Sequence, residues 1–299
     1  MRLTGFHLLL TYQCTFECDH CFVWGSPWQS GVMSLDDIQL ILQQARELRT
    51  VESIYFEGGE PFLYYSTLLS AVSDAAQQGF EVGVVTNAYW AISEADALAA
   101  LTPFAGLLND LSVSSDLFHW DEPISRQVRN AQWAAERLGI PAATIQIAGP
   151  QDPCAEAGTG QIQPGESSIM YRGRAAVKLA DQVVQQPWEE FTECPFENLR
   201  DPGRVHIDPL GNVHLCQGIL LGNLFQTPVK EIWAGYAPER HPVAGPLLAG
   251  GPVELAKQYR LAHQVRYADA CHFCYDARQK LRRQLPEVLG PDQMYGVDK

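Results

Sequence analysis

The chain lacks a basic surplus. Asp and Glu number 35 against 21 Lys and Arg, for a formal net charge of -14 at pH 7. A nucleic-acid surface needs a positive stripe to face phosphate, so no nucleic-acid partner is expected. No apolar run approaches the length of a membrane span, so no membrane partner is expected either. A basic segment followed by a cleavable apolar stretch is missing from the N-terminus, and no secretory signal is read. Eight cysteines in 299 residues are too few for a secreted disulfide scaffold. In a reducing compartment they read better as metal ligands, which points to the cytoplasm. Internal repeats and long low-complexity tracts are also absent. The remaining composition, 46% hydrophobic and 19% charged, suits one large folded domain and a smaller one.

Three cysteines stand close together in Cys14-Thr15-Phe16-Glu17-Cys18-Asp19-His20-Cys21. The C-x3-C-x2-C spacing offers three thiolates to a four-iron cluster and leaves one iron without a protein ligand. A zinc knuckle would need a fourth ligand, and His20, adjacent to Cys21, is badly placed to bind the same ion. The apolar run Phe6–Leu10 just before the triad reads as a buried strand.

Strands and helices then alternate. Leu35, Ile38, Ile41, Leu42, Ala45 and Leu48 recur at helical spacing, with Ser34 and Asp37 as a capping signal. Strands are expected at 53–57, 80–86, 111–114 and 143–148, and helices at 66–78, 93–101 and 123–138. Gly79 and Gly139 close two of those helices. This βαβα order implies parallel strands with right-handed crossovers. The expected fold is α/β, a partial (β/α)6 TIM-like barrel whose active site lies at the carboxyl ends of the strands. Residues 149–165 read as a loop over that mouth. Residues 168–171 are expected as a sixth strand and 174–184 as a helix. The alternation stops near Pro187, so the chain divides into 1–186 and 187–299.

Glu57-Gly58-Gly59-Glu60-Pro61 follows the second strand. Two glycines let the backbone approach a ligand closely, and Glu60 has a carboxylate for an ammonium group. With the cysteine triad upstream, the chain resembles the radical S-adenosylmethionine (SAM) superfamily and its GGEP motif. The resemblance implies a [4Fe–4S] cluster on Cys14, Cys18 and Cys21 that binds SAM and cleaves it reductively to a 5′-deoxyadenosyl radical. It implies SAM contacts from Gly58, Gly59, Glu60 and Pro61. At the third strand's end, Thr86-Asn87 is similar to the family's TNG element, with Ala88 in place of the usual glycine. Ser114, Ser115 and Asp116 at the fourth strand's end suit the SAM ribose or carboxylate. Backbone at 145–149 and the ring of His20 are candidates for the adenine. Trp24 and Trp28 read as core or lid packing more readily than as cluster shields. A low-potential electron donor such as flavodoxin or ferredoxin is implied as a partner. The acidic charge sets aside the RNA-modifying members.

Four more cysteines, Cys194, Cys216, Cys271 and Cys274, fall after the boundary. Cys271-x2-Cys274 is a chelating pair by spacing. Residues 205–216 read as a β-hairpin that delivers Cys216 at its end. These features, with Cys194-Pro195, Gly222-Asn223-Leu224 and Glu231-Ile232-Trp233, resemble the SPASM and twitch extensions of radical SAM enzymes. The region 187–299 is therefore expected as a small α+β twitch-like domain holding a second, auxiliary [4Fe–4S] cluster. Four thiolates suit zinc equally well by spacing. The pattern resembles the dehydrogenases of amino-cyclitol alcohols more than the molybdopterin-precursor cyclases. Arg172 and Arg174 resemble a GRA element of such relatives; either guanidinium could bind a carboxylate or face solvent. Cys154, in the long loop, reads as an inert thiol.

A full set of auxiliary thiolates implies an electron acceptor, and hence a radical SAM oxidoreductase performing a net oxidation or cyclisation. The substrate is a small molecule or a peptide. The first strand lies within the first ten residues, leaving no room for a leader-binding module, which favours the small molecule. A noncatalytic iron–sulfur or zinc-binding protein is the other alternative; the GGEP motif speaks against it, since a carrier has no use for an ammonium site.

Overall fold

The computed structural model describes residues 2–151 and 165–297. Cys154 and most of the loop 149–165 lie outside the described residues. Strand β1 (Gly5–Thr11) leads through the cysteine loop to α1 (Leu35–Leu48), followed by β2 (Ser53–Gly58), α2 (Tyr65–Gln77), β3 (Glu81–Thr86), α3 (Glu94–Leu101), β4 (Asp110–Ser114), α4 (Arg126–Leu138), β5 (Ala142–Ile147) and β6 (Gly165–Ser167). Next come α5 (Arg174–Lys178), β7 (Gln186–Pro187), β8 (Arg204–Ile207), β9 (Asn212–Cys216), β10 (Ile219–Asn223), α6 (Val229–Gly235), α7 (Ala244–Gln258), β11 (Arg266–Tyr267) and α8 (Ala270–Leu281).

Nine strands form one sheet in the order β10-β9-β8-β1-β2-β3-β4-β5-β6. Strands β1 to β6 are all parallel, which is the expected (β/α)6 arrangement. Among the described residues the barrel does not close: β6 and β10 are the two edges of the sheet. Strand β8 runs parallel to β1, and β9 and β10 continue antiparallel from it. The hairpin after the sequence boundary thus extends the same sheet.

Alternation along β1 sorts its side chains. Phe6, Leu8 and Leu10 enter the core beneath helices α1 to α4, while Leu9 belongs to a second cluster and His7 faces the cavity. That second cluster joins Leu9, Tyr12 and Val23 to Leu215, Tyr275 and Tyr295, so the cysteine loop packs directly on the C-terminal elements. Each buried Leu, Ile or Val there contributes roughly 1.5–3 kcal/mol of hydrophobic stabilisation. Helix α1 starts on a complete Ser34–Asp37 capping box, and α4 ends on left-handed Gly139.

Two segments differ from expectation. Strand β6 is Gly165–Ser167 instead of 168–171, because those are the residues in register with Ile145–Ile147 of β5. The helix expected over 174–184 stops at Lys178 and gives way to a 3-10 turn, Ala180–Gln182.

Asp208, in the β8–β9 turn, is fully buried. Its carboxylate accepts from Leu210 N, Asn212 N, Asn212 Nδ2 and Tyr12 Oη, each at 2.9 Å, and contacts His214 Nε2 at 3.1 Å. Burial raises its pKa, but these partners outweigh that effect and hold it below the usual carboxylate range. Because Tyr12 precedes Cys14 by two residues, Asp208 fixes the hairpin to the cysteine loop. Asp208→Ala strands several buried donors and should cost the apoprotein about 3 kcal/mol, read as a lower urea midpoint. Asp208→Asn should recover part of the loss.

Candidate functional site: a cysteine-lined cavity beside a four-cysteine site

Cys14, Cys18 and Cys21 follow β1 and face a cavity of about 210 Å³ at the carboxyl ends of the strands. Gly58, Gly59, Thr86, Asn87, Ser114, Asp116 and His20 line the same cavity. The backbone of the loop is tied on both sides. Gly59 N donates to Thr11 O at 2.6 Å and Glu60 N to Gln13 O at 2.8 Å. A Cβ on Gly59 would stand 2.0 Å from Gln13 O, and one on Gly58 2.4 Å from Thr11 O. The two glycines are therefore needed for the turn to lie against the cysteine loop.

From the other side, Arg174 clamps the loop. Its guanidinium donates to Cys18 O at 2.7 Å and Gly25 O at 2.9 Å, and its amide to Cys21 O at 3.0 Å. Gly173 (φ +62) passes so close that a Cβ would meet Phe22 Cα at 2.6 Å. Burial pushes the Cys14 thiol up to about 12 and raises Cys18 and Cys21 as well. Bare thiols are thus protonated at neutral pH, and a metal must displace those protons to bind. Amides near the sulfurs, Gly25 N at 3.2 Å from Cys21 Sγ and Asn87 Nδ2 at 3.6 Å from Cys14 Sγ, suit a thiolate-bound cluster. The donor set, the cavity and the arginine fit a [4Fe–4S] cluster.

Glu60 and Pro61 stand behind the cavity wall. Glu60 is fully buried, and its carboxylate accepts from Phe62 N at 3.0 Å, Thr86 Oγ1 at 2.8 Å and Asn87 N at 2.8 Å. It locks the end of β3 to the end of β2 and is not among the residues that line the cavity. Pro61 opens a short 3-10 turn. Ala88, at the position where the resemblance has glycine, is left-handed with φ 57. That conformation costs an alanine roughly 1–2 kcal/mol and explains the usual glycine.

Asp116 gathers the β4 and β5 ends. Its oxygens accept from Phe118 N, His119 N and Ile147 N, and contact His119 Nδ1 at 2.8 Å and His20 Nε2 at 3.4 Å. Burial raises its pKa, but the two histidines and these donors outweigh it and hold it ionised. Ser115 turns away to Pro123 O. Trp24 donates to Tyr275 Oη at 3.1 Å, and Trp28 is 85% exposed.

Cys194, Cys216, Cys271 and Cys274 line a second, smaller cavity. Helix α8 carries Cys271 and Cys274, and the end of β9 carries Cys216. Gly251 lets the broken helix α7 pass Thr192 and Glu193 just ahead of Cys194. Two buried guanidiniums reach this site. Arg172 Nη1 stands 3.4 Å from Cys216 Sγ and 3.2 Å from Glu197 Oε1. Arg278 donates to Gln217 O and, from Nε, to Cys274 O at 3.3 Å. Burial pushes Cys194 up to about 12. Four thiolates around a [4Fe–4S]²⁺ core or a Zn²⁺ ion carry a net charge of about -2, which two arginines match. Arg172 lines both cavities.

The comparisons with known proteins agree with this geometry. Residues 8–137 match the model of the radical SAM superfamily. Those residues are a radical SAM domain. Over 122 residues the chain is 25% identical to the putative peptide biosynthesis protein YydG of Bacillus subtilis, covering 40% of this chain and 38% of that protein. Over 88 residues it is 33% identical to a probable GTP 3′,8-cyclase of Saccharolobus solfataricus, covering 29% and 28%. The matched region thus spans well under half the length of these relatives. Streptococcus suis SuiB bound to its precursor peptide SuiA shares the fold, with TM-score 0.55 and 13% identity over 86% of this chain and 73% of that one.

Sequence reasoning missed Arg278, His119 and the cavity-facing His7, Glu57 and His206. It left Arg172 and Arg174 open between carboxylate and solvent. Arg172 takes the carboxylate of Glu197, and Arg174 takes backbone carbonyls with the Glu17 carboxylate 3.8 Å away. The Gly173 between them, which only glycine suits at that contact, is the one sequence signal that could have marked the segment as packed.

Burial pushes Glu60 up to about 7, against three donors that favour its anion. A carboxyl whose pKa rises on folding holds its proton longer in the native state. Its contribution to stability therefore falls as pH rises from about 4.5 to 7. Chemical denaturation of wild type and Glu60→Gln across that range should show the wild type losing ground to the variant as pH rises.

Proposed function

We propose that this protein is a radical SAM oxidoreductase. When bound, a [4Fe–4S] cluster and SAM supply a 5′-deoxyadenosyl radical that takes a hydrogen atom from the substrate, and an auxiliary [4Fe–4S] cluster supplies an electron acceptor for a net oxidation or cyclisation. The observation that carries this reading is the shared cavity: three thiolates, the Gly58–Gly59 turn and the ends of β3, β4 and β5 meet there. Cys14, Cys18 and Cys21 would hold the first cluster. Cys194, Cys216, Cys271 and Cys274, in the unit 187–299, would hold the second. Gly58 and Gly59 would offer backbone to the SAM amino group, with Asn87, Ser114 and Asp116 as polar contacts. Glu60 and Pro61 would position that turn from behind, with Thr86 joining them to the cavity lining. Arg174 would keep the cluster loop in place, and Arg172 would stand between the two centres.

A peptide substrate is the second reading. It is favoured by the sequence match to a putative peptide biosynthesis protein and by the fold shared with an enzyme seen bound to its precursor peptide. A small molecule remains the alternative, and the match to a probable nucleotide cyclase supports that side.

Anaerobically reconstituted protein with dithionite should cleave SAM to 5′-deoxyadenosine and methionine, and Cys18→Ala should abolish the cleavage. Cleavage at the wild-type rate in that variant would remove the triad from the mechanism. The variant lacking Cys14, Cys18 and Cys21 should still hold about four irons per chain. Zinc without iron in it would replace the electron-accepting role by a structural one.

A further inference from the structure

His7, Glu57 and His206 come from three neighbouring parallel strands and face the cavity. His7 and His206 are register partners on β1 and β8, and Glu57 pairs with Leu9, two residues further along β1. The three side chains are 4%, 13% and 12% exposed. His206 Nε2 stands 3.0 Å from Glu57 Oε1, and His7 Nδ1 stands 3.4 Å from Glu57 Oε2. Neither approach is aligned as a hydrogen bond: His7 Nδ1 and Glu57 Oε1 are buried without a hydrogen-bond partner. One ligand atom from each of the three residues lies within 4.8 Å of the others. Donors about 2.1 Å from one ion, at angles of roughly 90–109°, stand about 3.0–3.4 Å apart.

The neighbouring His20–Asp116–His119 group shows the contrast. It has the same composition, yet Asp116 is fully occupied by aligned donors from two loops and both rings. The carboxylate of that group is fully bonded, and only His20 Nδ1 is left buried without a partner. The His7–Glu57–His206 group is held rigid without being satisfied. His7 stacks on Tyr55 at 4.8 Å with the rings 9° from parallel, which fixes its orientation. The nearby guanidinium of Arg204 is 3.5 Å from Glu197 Oε2 and pairs there. A buried carboxylate without a cation is costly, and a divalent ion would offset that cost.

We propose that His7, Glu57 and His206 form a mononuclear site for a divalent transition-metal ion of the zinc or iron(II) class. Two imidazoles and one carboxylate suit such ions, and this donor set differs from both cysteine sites. Three protein ligands leave coordination positions open, and these face the cavity. The site does not depend on the radical chemistry proposed above and stands or falls separately from it.

Zinc alone is the probe. Anaerobically reconstituted protein, its cysteine sites filled with iron and sulfide, is dialysed against micromolar Zn²⁺, and its metals are counted. One zinc per chain is expected beyond the iron. X-ray absorption at the zinc edge should show nitrogen and oxygen neighbours at about 2.0–2.1 Å, not sulfur at about 2.3 Å. His206→Ala and Glu57→Gln should each weaken zinc binding at least tenfold while keeping wild-type iron content and circular dichroism. A wild type that binds no zinc overturns the proposal. So does a zinc shell dominated by sulfur, or zinc retained equally by folded His206→Ala. Should the variants fail to fold, the wild-type count and spectrum decide alone.

Discussion

Seven buried or half-buried thiols become thiolates only beside positive charge or a metal, and one short segment serves both groups of them. In Arg172-Gly173-Arg174, neighbouring side chains point to opposite centres. Arg174 grips the carbonyls of the Cys14–Cys21 loop, and Arg172 reaches Cys216 and Glu197. The glycine between them has to be a glycine, because the chain passes within contact of Cys21 and Phe22 there. Each guanidinium is buried. Such groups are tolerable only beside anions or well-placed carbonyls. The segment therefore ties the fold of one half to the cysteine chemistry of the other, and neither cavity keeps its shape without it.

The same logic orders the floor of the main cavity. The Gly58–Gly59 turn lies on the cysteine loop through two backbone hydrogen bonds. Glu60 then carries that position to β3 through Thr86 and Asn87. Asn87 returns to the loop through Cys14 Sγ and Thr15 Oγ1. This closed circuit links three strand ends through polar groups, each satisfied by the next. A buried carboxylate at the centre of such a circuit is a positioning device. Its value lies in the geometry it imposes on the groups that do face the cavity.

Much of this was legible in the chain. The alternating apolar runs located β1 to β5, and Ser34, Gly79 and Gly139 marked helix ends, because those signals act over a few residues. The cysteine spacings and the GGEP motif pointed to the two cysteine sites because each group of cysteines, or half of it, is local in sequence. What was not legible depends on pairing over distance. Strand β6 is set by register with β5, which selects 165–167 over the more apolar 168–171. The left-handed backbone of Ala88 became meaningful only once its φ was seen. Glu60 was read as a ligand contact from its motif, but its three donors come partly from a strand 26 residues away.

His7, Glu57 and His206 illustrate the same limit most sharply. Nothing in 200 residues of separation links His7 to His206, and each alone reads as an ordinary strand histidine. Parallel pairing of β8 with β1 places them side by side, and β2 brings Glu57 from the other flank. That pairing exists only because the hairpin after residue 187 joins the barrel sheet. The hairpin therefore does two things at once: its end supplies Cys216 to one cavity, and its start supplies Arg204 and His206 to the other. With Asp208 binding its turn to Tyr12, the hairpin cannot shift relative to the cysteine loop without disturbing both. The relative placement of the two cysteine sites is thus fixed by a backbone register, not by a flexible link between separate units.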